Sequence, residues 1–268
     1  VIATAPVTRP APLWHDVSRA CKGHTPPATH PVLLGRLRGR LGQDLAVRLS
    51  RQDHAALFPA SGQAPSPLVP RIDGPAHGPT LTIRLIGTAS RWANPVAAAL
   101  AAVTEEGLIV PGGRRPLLGR GPILWRHDAA PEATAAPGPG PRVVLETPLC
   151  PAEGAPLDAV TLGRAVRGRW LGLAPWLDPD LIALPALSPP EDADWRRLRP
   201  VGPVRRITWT RIAHRQGERP VPMHGWIGAF GINPDDADRL LPWLRLAQAL
   251  HAGRHAAFGL GRVGLSDG

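Results

Sequence analysis

Leucines at positions 33, 34, 37, 41, 45 and 49 recur at steps near three and four, which places them on one helical face. Arg36, Arg38, Arg40, Arg48 and Arg51 are interleaved with them, so a basic surface runs beside the apolar stripe. Residues 55–79 carry Pro, Gly and Ser and read as loop. Residues 80–86 (TLTIRLI) alternate with a period near two and predict a strand. Asn94-Pro95 then opens a helix over 96–104, with Asn at the N-cap and Pro in the first turn. Residues 1–31, rich in Pro, Thr and His, give no period.

Residues 129–141 (AAPEATAAPGPGP) read as a Pro/Gly linker near the midpoint, and after them the order repeats. Residues 142–147 predict a strand, and 157–173 a helix carrying Arg164, Arg167 and Arg169. Residues 205–211 alternate cationic and apolar positions as a strand would, 226–230 are short and extended, 235–252 are helical, and 258–265 close the half as a strand. Strand, helix, strands, helix, strand is the order of a ferredoxin-like unit. The expected fold class is α+β, with tandem ferredoxin-like (RRM-like) domains over 1–128 and 142–268. A helical or loop insertion over 170–200, with Trp170, Trp176, Trp195, Arg196, Arg197 and Arg199, falls outside the minimal unit. Its tryptophans are candidates for stacking on unpaired bases, although burial in the core is the commoner use of tryptophan.

The 268 residues are enough for two such domains, and 43% hydrophobic residues supply a core. The charge changes the picture more. Lys and Arg total 31 against 21 acidic residues, a net charge of +10, and Lys22 is the only lysine. A GC-rich genome explains why the cations are arginines, but not why they exceed the acids by that margin. The excess favours a polyanionic partner, which guanidinium engages bidentately; general solubility or a charged membrane surface is the alternative.

Cys21 and Cys150 lie far apart with no CxxC, which argues against a disulfide framework or a zinc site. The acidic groups Glu191-Asp192-Asp194 and Asp235-Asp236-Asp238 read as a loop and a helix start, where carboxylates serve the helix dipole. No metal and no cofactor are expected. No apolar run of about 18 residues and no signal peptide is visible, so a cytoplasmic protein is expected.

Gly259, Gly261 and Gly264 match GxGxxG, but a dinucleotide motif opens a helix inside a βαβ unit, and none follows here. Two readings remain open. One is a plain hairpin turn. The other is a glycine-rich loop, flanked by Arg254 and Arg262, whose backbone can approach a phosphodiester.

The run His251-Ala-Gly-Arg-His-Ala-Ala-Phe-Gly-Leu-Gly-Arg, after Leu244-Arg-Leu-Ala-Gln-Ala-Leu, resembles the closing motif of the CRISPR-associated RAMP endoribonucleases that process precursor crRNA, the Cas-six type. Leu37-Arg-Gly-Arg-Leu-Gly-Gln-Asp-Leu is similar to that family's early Arg-Gly-x-Leu-Gly helix. Leu145-Glu-Thr-Pro-Leu, and Trp209 through Arg215-Gln216 to Gly225-Trp-Ile-Gly, are similar to its second half. Arg254 stands where the family tends to have Lys, and the family's Cys-rich cluster near the first helix is missing. The Arg-rich character and the insertion also resemble the type IV-associated branch.

The resemblance implies tandem ferredoxin-like folds that bind a CRISPR repeat stem-loop. It also implies one metal-independent cut that leaves a 2′,3′-cyclic phosphate, with the product kept in a complex with other effector subunits and no membrane involved. Such a cut needs a base, cations for the phosphorane and an acid. The catalytic candidates it implies are Arg38 on the early helix, His24 and His30 before it, and His255 in the closing motif, with His251 packing or orienting the loop. The RNA-binding candidates are Arg36, Arg40, Arg164, Arg167, Arg169, Arg211, Arg215, Gly253, Arg254, Gly259, Gly261 and Arg262. Each has a bland counterpart: a loop histidine is commonly solvated, and a helix arginine is commonly a surface cation. The base is left open, an arginine-dominated site being the fallback. A non-catalytic crRNA-holding subunit and a generic basic RNA-binding protein are the alternatives.

Overall fold

The computed structural model describes residues 13–26, 30–60, 65–110, 116–128, 141–151, 157–178, 189–213 and 219–266. The first half runs β1 (Trp14–Lys22), α1 (His30–Arg48), α2 (Arg51–Leu57), β2 (Leu68–Asp73), β3 (Thr80–Ile86), α3 (Ala93–Glu106) and β4 (Leu118–Asp128). Its strands pair antiparallel in the order β2-β3-β1-β4, the ferredoxin-like order. The leucine stripe explains α1: Leu33, Leu34, Leu37, Leu41 and Leu45 are buried. With Val96, Leu100 and Val103 of α3 they cover one sheet face, against Val17, Leu81 and Ile83. Each such side chain contributes roughly 1.5–3 kcal/mol by leaving water.

The second half runs β5 (Arg142–Leu145), α4 (Ala159–Leu173), α5 (Asp192–Trp195), β6 (Arg199–Pro200), β7 (Arg205–Ala213), β8 (Arg219–Ile227), β9 (Ala229–Gly231), α6 (Pro234–Leu250) and β10 (Val263–Ser266). The order β10-β5-β9-β6 is the ferredoxin-like order again, while β7 and β8 pair as a separate hairpin. The chain is therefore a tandem ferredoxin-like fold.

Several elements differ from the sequence reading. The strand at 205–211 is one arm of the hairpin and not part of the sheet; the sheet uses only Arg199–Pro200, at the end of the segment read as insertion. Trp170 belongs to α4 and Trp195 to α5, at 5% and 3% exposure, so both are core residues and not stacking platforms. Trp176 is half-buried with its ring edge-on to Trp92. Strand β2 lies inside 55–79, and β1 inside the segment without a period. The last strand begins at Val263 because Gly259 and Gly261 take left-handed φ values of 72° and 68°, which turn the chain before it can pair. Apart from Pro141, the linker 129–141 lies outside the described residues.

Guanidinium groups join the halves. Arg84 of β3 holds Asp16 through two bonds of 2.8 and 2.7 Å, lies on the Trp14 ring and donates to Ala249 O of α6 at 3.0 Å. Arg169 of α4 donates to Leu250 O and, across to the first half, to Ser66 O at 3.0 Å. Arg262 donates to Ile72 O at 3.0 Å and pairs with Asp73 and Glu146.

Candidate active site

Along this seam α1 lies against residues 258–262. A Cβ on Gly259 would overlap the Pro70 carbonyl oxygen and come within 2.8 Å of Leu34 Cδ1, so only glycine permits the approach. One turn further along α1, the Arg38 guanidinium lies 4.6 Å from the Phe58 ring centroid and 5.2 Å from that of Phe258. One turn back, His30 senses the charge of Arg262. Thr147 completes the seam: its hydroxyl donates to Gly259 O at 3.0 Å and accepts from Arg262 N at 2.8 Å.

Phe258 also meets the hairpin. Arg211 of β7 places its guanidinium 4.6 Å from that ring, and His255 sets its own ring edge-on to it at 5.9 Å. His255 has a left-handed backbone, φ 65°, and is half-buried. Burial, then the charges of Arg254, Arg211 and His224, push its pKa down to about 4. Cys150 ties two of these neighbours together, because its thiol donates to His224 O at 3.2 Å and its carbonyl accepts from Arg254 N at 2.8 Å.

Two clefts flank this cluster. One, of about 470 Å³, lies between α1 and the hairpin and is lined by Gly35, Arg36, Gly39, Arg40, Ile109 and Arg211. Arg36 donates to Ile109 O at 2.8 Å and Arg40 pairs with Glu106, while burial lowers the pKa of Arg211. The other, of about 370 Å³, lies between α4 and the start of the glycine-rich run and includes Arg164, Arg169, Gly253 and Arg254.

The remaining candidates scatter. Arg38 is 9% exposed, with Nη1 donating to Ser66 Oγ at 3.5 Å, so it braces Phe258 beneath the surface. Arg262 is committed to two carboxylates of the seam. His24 is exposed and stacked on His77, with ring centroids 4.2 Å apart. His30 is half-buried and donates from Nε2 to Thr25 O at 3.3 Å; burial pulls its pKa down, and Arg262 adds to this. Buried His251, at 1% exposure, donates from Nδ1 to Leu260 O at 3.2 Å and has a pKa held well below the usual range by burial. Arg167 is exposed on α4, Gly261 approaches the Ala252 backbone, and Arg215 lies outside the described residues. Sequence reasoning missed His224, and it gave no role to Phe258 or Phe58. Only the alternation of β8 could have marked His224 as outward-facing.

Among the described residues no group of three or more His, Cys, Asp or Glu side chains is placed to hold a metal ion. No described helix is long and apolar enough to cross a membrane.

Comparison with known proteins adds to this geometry. Residues 144–263 match the family model described as CRISPR-associated endoribonuclease Cas6. None of the curated proteins matches the chain. Among solved structures, a Cas6 product complex is similar at a TM-score of 0.54 and 17% identity, covering 96% of this chain and 100% of that one. Thermus thermophilus Cas6 is similar at 0.52 and 14%, covering 96% and 99%. A further Cas6 product complex is similar at 0.51 and 16%, covering 95% and 99%. At these identities the likeness to solved structures is one of fold.

Proposed function

We propose, from the match of residues 144–263 to the Cas6 family model, that the whole chain is an endoribonuclease that binds a CRISPR repeat stem-loop and cuts precursor crRNA beside Phe258. The observation that carries this reading is the pair His255 and Arg211 on the Phe258 ring, with Arg254 and His224 near enough to His255 to act on its charge, between two arginine-lined clefts.

The proposed reaction is a metal-independent transesterification. His255 takes the proton of the 2′-hydroxyl, the resulting oxygen attacks the adjacent phosphorus, and the bond from phosphorus to the 5′-oxygen breaks. Arg211 offsets the charge of the phosphorane, and His224 gives a proton to the leaving oxygen. A 2′,3′-cyclic phosphate and a 5′-hydroxyl result. A neutral imidazole can take a proton, whereas a guanidinium, protonated at all ordinary pH values, cannot. Arg38 acts through Phe258 and is a positioning residue. The product stays bound, within an assembly of other effector subunits in the cytoplasm; the net charge of +10 supports retention of RNA.

His30 is the second candidate base, because burial also lowers its pKa and it stands at the other end of the same seam. Single-turnover cleavage of a repeat hairpin separates the two. His255→Ala is expected to slow the cut by roughly 10²–10⁴-fold, the usual worth of a general base, while His30→Ala changes it far less. The reverse ranking moves the reacting phosphate to the Arg262 end. Tight binding of a hairpin that stays intact with wild-type protein leaves only the RNA-holding alternative.

A further inference from the structure

Arg169 is an unusual cation. It is 5% exposed, and its guanidinium donates to two backbone carbonyls, Leu250 O and Ser66 O, with no carboxylate partner among the described residues. Burial, reinforced by the charge of Arg38, lowers its pKa to about 9. Two carbonyl dipoles accept from its Nε and Nη2 without neutralising it, and an uncompensated buried charge is costly. The charge lies at the wall of the second cleft. There it is joined by Arg254, whose side chain has no ion pair among the described residues, and by Arg164, which keeps Asp192 as its partner at the rim. Thr161 and Gly168 of α4 complete the lining, and the N-terminus of α4 is already capped by Asp158, which accepts from Thr161 N at 2.6 Å. At about 370 Å³ the space falls within the size range of small-ligand sites.

We propose that this cleft is a phosphate site, and that it takes a phosphodiester of the bound RNA other than the one that is cut. The assignment to RNA rests on the endoribonuclease reading; the anion site itself does not. The adjacency is direct: Arg254 lines the cleft, and its neighbour in sequence, His255, stands at the proposed reacting phosphate. The cleft thus begins one residue along the chain from the proposed base. An anion held there supplies a counter-charge that no described residue gives Arg169. Its contribution is to retention of RNA, since the contact is the same before and after the cut.

Gly168 provides a clean plug. A Cβ built on it meets no atom within 4 Å, and leucine is the better helix former, so Gly168→Leu fills the cleft without disturbing α4. The full chain and this variant are compared in two measurements. The first is the melting temperature in sodium phosphate against sodium chloride of equal ionic strength. The second is the affinity for the cleaved repeat hairpin as a function of salt. The wild type is expected to be stabilised by phosphate and the variant not, and the variant is expected to bind the product about tenfold more weakly. Its salt slope should fall by about 0.7–0.9, the counterion release of one phosphate contact. A variant that keeps the phosphate response, the affinity and the slope overturns the proposal. Loss of the phosphate response with RNA binding unchanged overturns the RNA assignment and leaves a site for free phosphate or a phosphomonoester. If the wild type fails to bind repeat RNA while its phosphate response is lost in the variant, the endoribonuclease reading falls and the anion site stands.

Discussion

His255 carries two consequences from one cause. Burial, then the charges of Arg254 and Arg211, hold its imidazole neutral down to about pH 4, against an ordinary value of 6.5. As the proposed base it should keep kcat/KM high well below pH 6, with the acid limb near 4; a limb near 6.5 in a pH–rate profile contradicts that role. The same shift is linked to stability. A histidine whose pKa is lower folded than unfolded leaves the unfolded chain binding more protons between about 4 and 6.5, so stability is complete above 6.5 and falls as pH drops through that window. His30 and buried His251 shift in the same direction. The melting temperature should therefore decline from pH 7 to pH 4.5, and less steeply in His255→Ala. At this scale the sequence marked His255, Arg254 and Arg38 through the closing and early-helix motifs. It could not mark His224, an isolated polar residue on a hairpin strand, nor show that Arg262 faces Asp73 and Glu146.

Among the elements, those with a long period were legible and those without were not. The stripe of α1 and the alternation of β3 match their observed bounds closely, because each buries a full face. Strand β2 was hidden: Pro70 interrupts it, which an edge strand tolerates, and loop-like residues surround it. A two-residue strand such as β6 has no period at all, so the more regular 205–211 took its place in the reading. Packing of α4 on α5 gives a test at this level. A Cβ on Gly163 would run into the Trp195 indole, which is buried and cannot swing away. Gly163→Ala should lower stability by about 1–3 kcal/mol despite its better helix propensity, read as a shift in denaturant midpoint. An unchanged or raised midpoint means that α5 moves freely on α4.

Across the whole molecule, the seam between the halves positions the candidate site. Arg84, Arg169 and Arg262 each bond a carbonyl in the other half, and the glycine turn that lies against α1 is also what brings His255 to Phe258 and Arg211. The tandem fold was legible in the repeated element order; the closeness of α1 to the last turn was not, since it depends on how the two units pack. Arg211→Ala removes a cation that both lines the first cleft and stands at the ring. Single-turnover rates should drop by roughly 10²-fold or more, the scale of losing one transition-state charge partner, with a smaller loss of RNA affinity. An affinity loss with the rate intact would make Arg211 a binding residue only.

The most direct test is cleavage of a repeat hairpin in the presence of EDTA, with and without a 2′-deoxy substitution at the nucleotide whose 2′-hydroxyl is the proposed nucleophile. Cutting should continue in chelator, stop with the deoxy substrate and yield a 2′,3′-cyclic phosphate end. Cutting that chelator abolishes, or that proceeds on the deoxy substrate, contradicts a histidine-and-arginine site at the seam.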